Sequence, residues 1–198
     1  MYVDPLPLSA YPWYLRPWFW WQRRRTGAVV EPVRLWARRP RLLAPLMLLT
    51  AAFERRRAGL EPVLRAWVAL RVGQINECPF TVDQSAHSLH RQGVAWEKIR
   101  AAADWADAEG FTSRERVVLG YIEAVTRSET PVSADVVGAV KRHLDDEALI
   151  ELTGLAAFHN MTTKFNNALD VEPQGLCTLT VNDRGEAVAW EANPARGR

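Results

Sequence analysis

The 198-residue chain has two cysteines, Cys78 and Cys177, and the first stands where it could do chemistry. Cys78 is followed by Pro79, Phe80 and Thr81. Proline suits the first turn of a helix, where its missing N–H costs nothing, so Cys78 falls at a helix N-terminus. The unpaired N–H groups of that turn favour a thiolate, the form of cysteine that attacks peroxides and disulfides. Glu77, directly before it, acts in the opposite sense. Two readings are open at Cys78: a single reactive thiol, or a small buried hydrophobe at a tight turn.

Histidines are the next candidates, as bases or metal ligands. His87 and His90 follow Cys78 within the same predicted helix, and with Asp83 they make a conceivable metal triad. No Cys pair and no His-Glu-x-x-His spacing supports a metal there, so solvated helix side chains are the better reading and no metal or cofactor is expected. His159 lies at helical spacing from Leu152 and Leu155; it is read as a core histidine and also as the best remaining polar candidate for a pocket.

The elements that must position these groups are helical, with Pro and Gly as punctuation. Pro32 and Pro40 read as first-turn prolines of two short helices, with Gly59 closing the second. A helix from Pro62 to about Asn76 carries Val63, Ala66, Trp67, Ala69 and Leu70 inward, and Pro79 opens the next, which ends near Gly93. Thr112 and Glu115 form a capping box, Ser133 caps a helix through Leu144, and Asp145-Asp146 starts a long helix to about Asn167. Beyond Gly175, alternation around Asn182-Asp183-Arg184-Gly185 predicts a β-hairpin. The chain divides on this reading into an aromatic, Pro-rich arm (1–27), a helical domain (28–175) and a hairpin with a tail (176–198).

The run Trp67-Val68-Ala69-Leu70-Arg71-Val72-Gly73-Gln74-Ile75-Asn76-Glu77-Cys78-Pro79-Phe80-Thr81-Val82-Asp83 resembles the signature of the carboxymuconolactone decarboxylase and alkylhydroperoxidase D-like family. Residues 149–170, ending His159-Asn160-Met161-Thr162-Thr163-Lys164-Phe165-Asn166-Asn167-Ala168-Leu169-Asp170, and the opening Tyr11-Pro12-Trp13-Tyr14-Leu15-Arg16-Pro17 are similar to its longer bacterial members. The resemblance implies an all-α fold, an alkylhydroperoxidase D-like helical bundle, working as a homo-oligomer (dimer, trimer or hexamer) with its site near subunit contacts. Peroxidase members carry Cys-x-x-Cys-x-x-x-His at a helix start and a relay Glu one helix earlier. Here the first cysteine is Cys78, but Thr81 stands at the second, Ser85 at the His and Ala66 at the Glu. A threonine hydroxyl supplies neither thiolate nor disulfide partner, so the motif excludes a two-cysteine cycle. His87 cannot take the vacant place, because on a helix it points about 200° away from Ser85.

Function therefore reads as related to thiol-dependent hydroperoxide reductases, antioxidant and peroxiredoxin-like, with at most one-cysteine activity at Cys78 recycled by an external thiol reductant. Two alternatives stand beside it. A non-redox oligomer would bind a small apolar ligand in a pocket lined by Trp67, Phe80 and arm aromatics. A cysteine-independent decarboxylase or lactone enzyme rests on analogy to the name-giving branch.

Composition narrows the classes further. A formal charge of +2 from 25 basic and 23 acidic residues carries no overall footprint for nucleic acid. The longest apolar stretches, such as Leu42 to Phe53, are too short to span a bilayer, and two distant cysteines make no disulfide framework, so a cytoplasmic protein with free thiols is expected. The arm groups Trp13, Tyr14, Trp18, Phe19, Trp20 and Trp21 before Arg23-Arg24-Arg25; wrapping over the protein's own body or a neighbouring subunit is favoured over a membrane surface.

Overall fold

The computed structural model describes residues 1–26, 29–55, 59–129 and 131–193. Its elements are helices α1 (Arg16–Thr26), α2 (Glu31–Ala37), α3 (Pro40–Phe53), α4 (Pro62–Ile75), α5 (Pro79–Arg91), α6 (Trp96–Arg100), α7 (Ser113–Arg127), α8 (Ala134–Lys141) and α9 (Asp146–Ala168), then strands β1 (Cys177–Val181) and β2 (Ala187–Ala192). The last five residues of the predicted tail, 194–198, lie outside the described residues. No described helix is long and apolar enough to cross a membrane.

The chain forms two compact units, Met1–Arg55 with Leu169–Val171, and Arg56–Ala168 with Glu172–Arg198. In the first, Tyr11 and Phe19 of the arm pack with Val29, Ala37 and Leu43 in a cluster of their own. Tyr11 holds the arm in place through its hydroxyl, which donates to the Arg34 carbonyl (2.7 Å) and accepts from Leu6 N–H (3.0 Å). The aromatic run becomes a helix, α1, with Phe19 inward, while Trp13, Tyr14, Trp20 and Trp21 stay exposed.

In the second unit α4 is the central helix, packed against α5, α7 and α9. Its burial is not a single stripe: Leu64, Trp67, Val68, Leu70, Arg71, Val72 and Gln74 are all buried, which is what a helix enclosed on several sides requires. The predicted starts at Pro62 and Pro79 hold, as do the Thr112–Glu115 capping box and the Ser133 and Asp145 caps. The helix after Ser133 stops at Lys141, short of Leu144. The hairpin forms as β1 and β2 paired antiparallel, with an irregularity at Thr178/Leu179.

Gly59 does not close the helix opened by Pro40, which ends at Phe53. It serves a tertiary approach instead: its N–H donates to Glu151 Oε2 (2.6 Å), and a Cβ there would stand 3.3 Å from the Ala148 backbone of α9. The short α6 and the 3-10 turn at Ala101–Asp104 carry no strong sequence signal and went unpredicted.

Candidate active site at the α4–α5 corner

The corner that carries Cys78 is built by backbone geometry. Glu77 N–H bonds to Gln74 O (3.0 Å) and Cys78 N–H to Gly73 O (2.8 Å), the paired bonds that end a helix through a left-handed residue. That residue is Glu77, at φ 50°, where glycine is usual; a side chain there costs about 1 kcal/mol. Cys78 then becomes the N-cap of α5, its carbonyl accepting from Val82 N–H (3.1 Å) with Pro79 in the first turn. Gly73 permits the helices to close at this point, since a Cβ there would stand 3.1 Å from Thr81 Cγ2.

Cys78 is fully buried and free. Its sulfur lies 3.3 Å from Thr81 Oγ1 and 3.9 Å from Asn166 Nδ2 of α9. Thr81 and Asn166 are themselves buried. Of the positions matched to the peroxidase motif, Cys78 and Thr81 are the two whose polar side-chain atoms meet. Ser85 turns back onto its own helix, its hydroxyl donating to the Thr81 carbonyl (2.6 Å), and an alcohol of this kind is no general base at neutral pH. Ala66 is buried in an apolar cluster with Trp67.

Trp67 has no exposed surface: its ring packs on Phe111 (centroids 5.4 Å) and its indole N–H donates to Glu115 (3.2 Å), whose two carboxylate oxygens both accept from Lys98 (2.7 and 2.8 Å). Burial works against the Glu115 charge, but the bonds from Lys98 and the Thr112 backbone outweigh it and hold the carboxyl below its ordinary range. Phe80 is buried one position after Pro79. The residues weighed as a metal triad are engaged separately. Asp83 accepts the Leu176 and Cys177 amides (3.2 and 2.7 Å), His90 stacks on Trp96, and His87 lines a groove beside Arg91.

Cys177 lies against Asp83, away from the partners of Cys78. Its thiol approaches the Asp83 carbonyl (3.4 Å), and burial, reinforced by the Asp83 charge, pushes its pKa up to about 12. It is inert at neutral pH.

His159 is not among the partners of the Cys78 sulfur; its ring meets Phe158 edge-on at 5.6 Å. Desolvation lowers its pKa to about 4. The unfolded chain binds a proton near the ordinary 6.5 and the folded protein does not, so stability falls as pH drops below about 6.5 and continues falling to about 4. The expected loss is on the order of 3 kcal/mol. Urea midpoints at pH 7 and pH 4.5 will show this, and His159→Leu should remove that part of the slope; an equal slope in the variant refutes the assignment.

What sequence reading missed is the polar face of α9. Asn76 Nδ2 donates to Asn160 Oδ1 and Thr163 Oγ1 (both 2.8 Å), and Asn167 Nδ2 donates to the Asn76 carbonyl (2.6 Å). Asn160 continues to Thr126 Oγ1 (3.2 Å). The only signal in the sequence is the polar density of Asn160, Thr163, Asn166 and Asn167 at helical spacing, and solvated residues would give the same pattern.

This helical bundle, with a buried cysteine capping the second helix of a tight α–α corner, has an alkylhydroperoxidase D-like fold. The fold agrees with an alkylhydroperoxidase AhpD core structure, a peroxidase-related protein from Ralstonia eutropha JMP134 (TM-score 0.75, 19% identity, covering 92% of this chain and 93% of that one). It also agrees with the debrominase Bmp8, solved as a cysteine-to-alanine variant in complex with 2,3,4-tribromopyrrole (TM-score 0.76, 20% identity, 88% and 92% covered). The chain belongs to the carboxymuconolactone decarboxylase family, whose model matches residues 42–124. It is 35% identical over 173 residues to the uncharacterised protein YnjA of Escherichia coli K12, covering 87% of this chain and 95% of YnjA.

Proposed function

We propose that this protein is a thiol-dependent reductase of one-cysteine type, acting on hydroperoxides through Cys78. The observation that supports this best is the setting of the sulfur, at a helix N-terminus between the Thr81 hydroxyl and the Asn166 amide. Both groups can solvate a sulfur anion, and the helix end favours one. The Cys78 thiolate attacks the outer oxygen of a hydroperoxide, the O–O bond breaks, and the alkoxide leaves and takes a proton to become the alcohol. Cys78 is left as a sulfenic acid. An external thiol condenses with it, releasing water, and a second thiol displaces Cys78 from the mixed disulfide. Thr81 has no thiol to resolve the sulfenic acid, and Cys177 is committed at Asp83, so the reductant must come from outside. With Cys78 fully buried, substrate reaches it only through a local opening of the structure.

The test is turnover by the purified full chain. Cumene hydroperoxide with dithiothreitol should be consumed above the uncatalysed rate, with alcohol and oxidised thiol formed one to one. 2,3,4-Tribromopyrrole belongs in the same panel, because the fold is shared with a debrominase. Consumption of the bromopyrrole alone would move the reading to dehalogenation, and consumption of neither would reject the reductase.

We propose further that the protein works as a homo-oligomer. Leu42, Leu48 and Leu49 of α3 are exposed, Leu48 by 74%, on a helix with few polar residues. The first unit also carries nine arginines against Asp4, Glu31, Glu54 and Asp170, a formal +5, which leaves −3 for the remainder of the +2 chain. Opposite net charges favour association of copies, and an exposed apolar helix face is of the kind that oligomers cover. Sedimentation velocity should give a species larger than 22.4 kDa that dissociates in Leu48→Arg; a monomeric parent rejects this.

A further inference from the structure

We propose that Asn76 is a positioning residue for Cys78, holding the α4–α5 corner at the distance from α9 that brings Asn166 to the sulfur. This deepens the one-cysteine reading and rests on it for its catalytic meaning. Asn76 ends α4 and lies two residues before Cys78. An asparagine at a helix end is commonly explained by its tolerance of the left-handed conformation. That explanation fails here: Asn76 has φ −84°, and the left-handed residue is Glu77.

The Asn76 side chain is spent on tertiary contacts instead. It donates to Asn160 and to Thr163, its carbonyl accepts from Asn167, and its own N–H is used within the helix by Val72 O (3.0 Å). Asn160, Thr163 and Asn167 share one face of α9, at spacings of three and four residues. The amide orientations are mutually consistent, since Asn160 accepts from Asn76 with its oxygen while its nitrogen donates to Thr126 Oγ1 and Ala156 O. Three bonds thus pin the residues before Cys78 to the helix that carries Asn166.

Asn166 Nδ2 is 3.9 Å from Sγ, near the outer limit for a bond to sulfur, so a further separation of a few tenths of an ångström ends it. Thr81, on α5 itself, moves with Cys78 and needs no such anchor. Asn76 therefore controls the sulfur partner that comes from another helix.

The experiment follows the 13Cβ shift of labelled Cys78 against pH in the full chain carrying Cys177→Ser, a readout that needs neither turnover nor access to the thiol. Asn76→Ala should move the thiol titration upward by about half a pH unit or more, as should Asn166→Ala, because each removes the amide from the anion. The double variant should match Asn166→Ala alone. Ile99→Val, a core change made to lower stability elsewhere, should leave the titration in place. An unchanged titration in Asn76→Ala, or shifts that add in the double variant, overturns the proposal. Should Asn76→Ala fail to fold, Asn167→Ala, which removes one of the three bonds, takes its place with the same criteria. A shift seen in a protein without hydroperoxide turnover would keep the positioning role and reject the reductase.

Discussion

Replacing Arg71 by alanine is expected to destabilise the protein by about 3–5 kcal/mol. Arg71 has 1% of its side chain exposed and sits on the enclosed helix α4. Its guanidinium meets both oxygens of Glu186 from the hairpin (3.2 and 3.3 Å), Glu123 of α7 (3.2 Å) and the Gln74 side chain (3.2 Å). Burial works against the Glu123 charge, but the Trp105 indole, Arg71 and Arg127 together hold its carboxyl below the ordinary range. Without Arg71, the cations left to Glu186 would be the more distant guanidiniums of Arg127 and Arg184, each at 3.4 Å, beside the neutral Asn182 amide at 3.2 Å. A buried, under-compensated carboxylate is the main source of the loss, more than the missing attraction. Exchanging both partners for apolar residues, Arg71→Met with Glu186→Leu, should therefore cost clearly less than the single change. Urea midpoints of the three proteins decide this, and a single variant within about 1 kcal/mol of the parent would show the pair is not a structural pin.

Cys78→Ser should reduce hydroperoxide turnover to the uncatalysed level, a loss of roughly a thousandfold or more for a nucleophile with no substitute. Serine is similar in shape though slightly smaller, and it needs a base to become a nucleophile. Ser85, one turn beyond Thr81, is an alcohol whose hydroxyl donates to the Thr81 carbonyl, and it supplies no base at neutral pH. Cys177 cannot supply the missing thiol: burial and the Asp83 charge push its pKa up to about 12, so it stays protonated at pH 7. Cys177→Ser should accordingly retain the parent rate. If Cys78→Ser retains it instead, the reductase reading fails, and the geometry of the corner is a packing feature alone.

Most of the fold was legible because its signals are local. Pro62 and Pro79 start helices wherever their φ is satisfied, Thr112 and Glu115 satisfy each other's backbone across one turn, and Asn182 to Gly185 closes a hairpin between strands that adjoin it. Gly59 misled for the opposite reason. A glycine after a helix resembles a terminator, but this one answers to Glu151, 92 residues away, and to Ala148 beside it on α9. Trp67 shows the same limit: its apolar surface suits a pocket wall or a core equally well, and only the arrangement of Phe111, Lys98 and Glu115 puts it in the core.

At the site itself, sequence alone determined that a cysteine stands at a helix start with a threonine three residues on and a serine seven residues on, and the family resemblance implies from these positions that no two-cysteine cycle operates. Those statements depend on residue identity and short spacing, which folding does not alter. Tertiary structure decided what surrounds the sulfur. Asn166 lies 88 residues from Cys78, Asn160 lies 84 from Asn76, and Glu186 lies 115 from Arg71. A buried amide or arginine is written with the same letters as a solvated one; what makes it a partner or a pin is the removal of water around it, and that happens only when α4, α7, α9 and the hairpin close on one another.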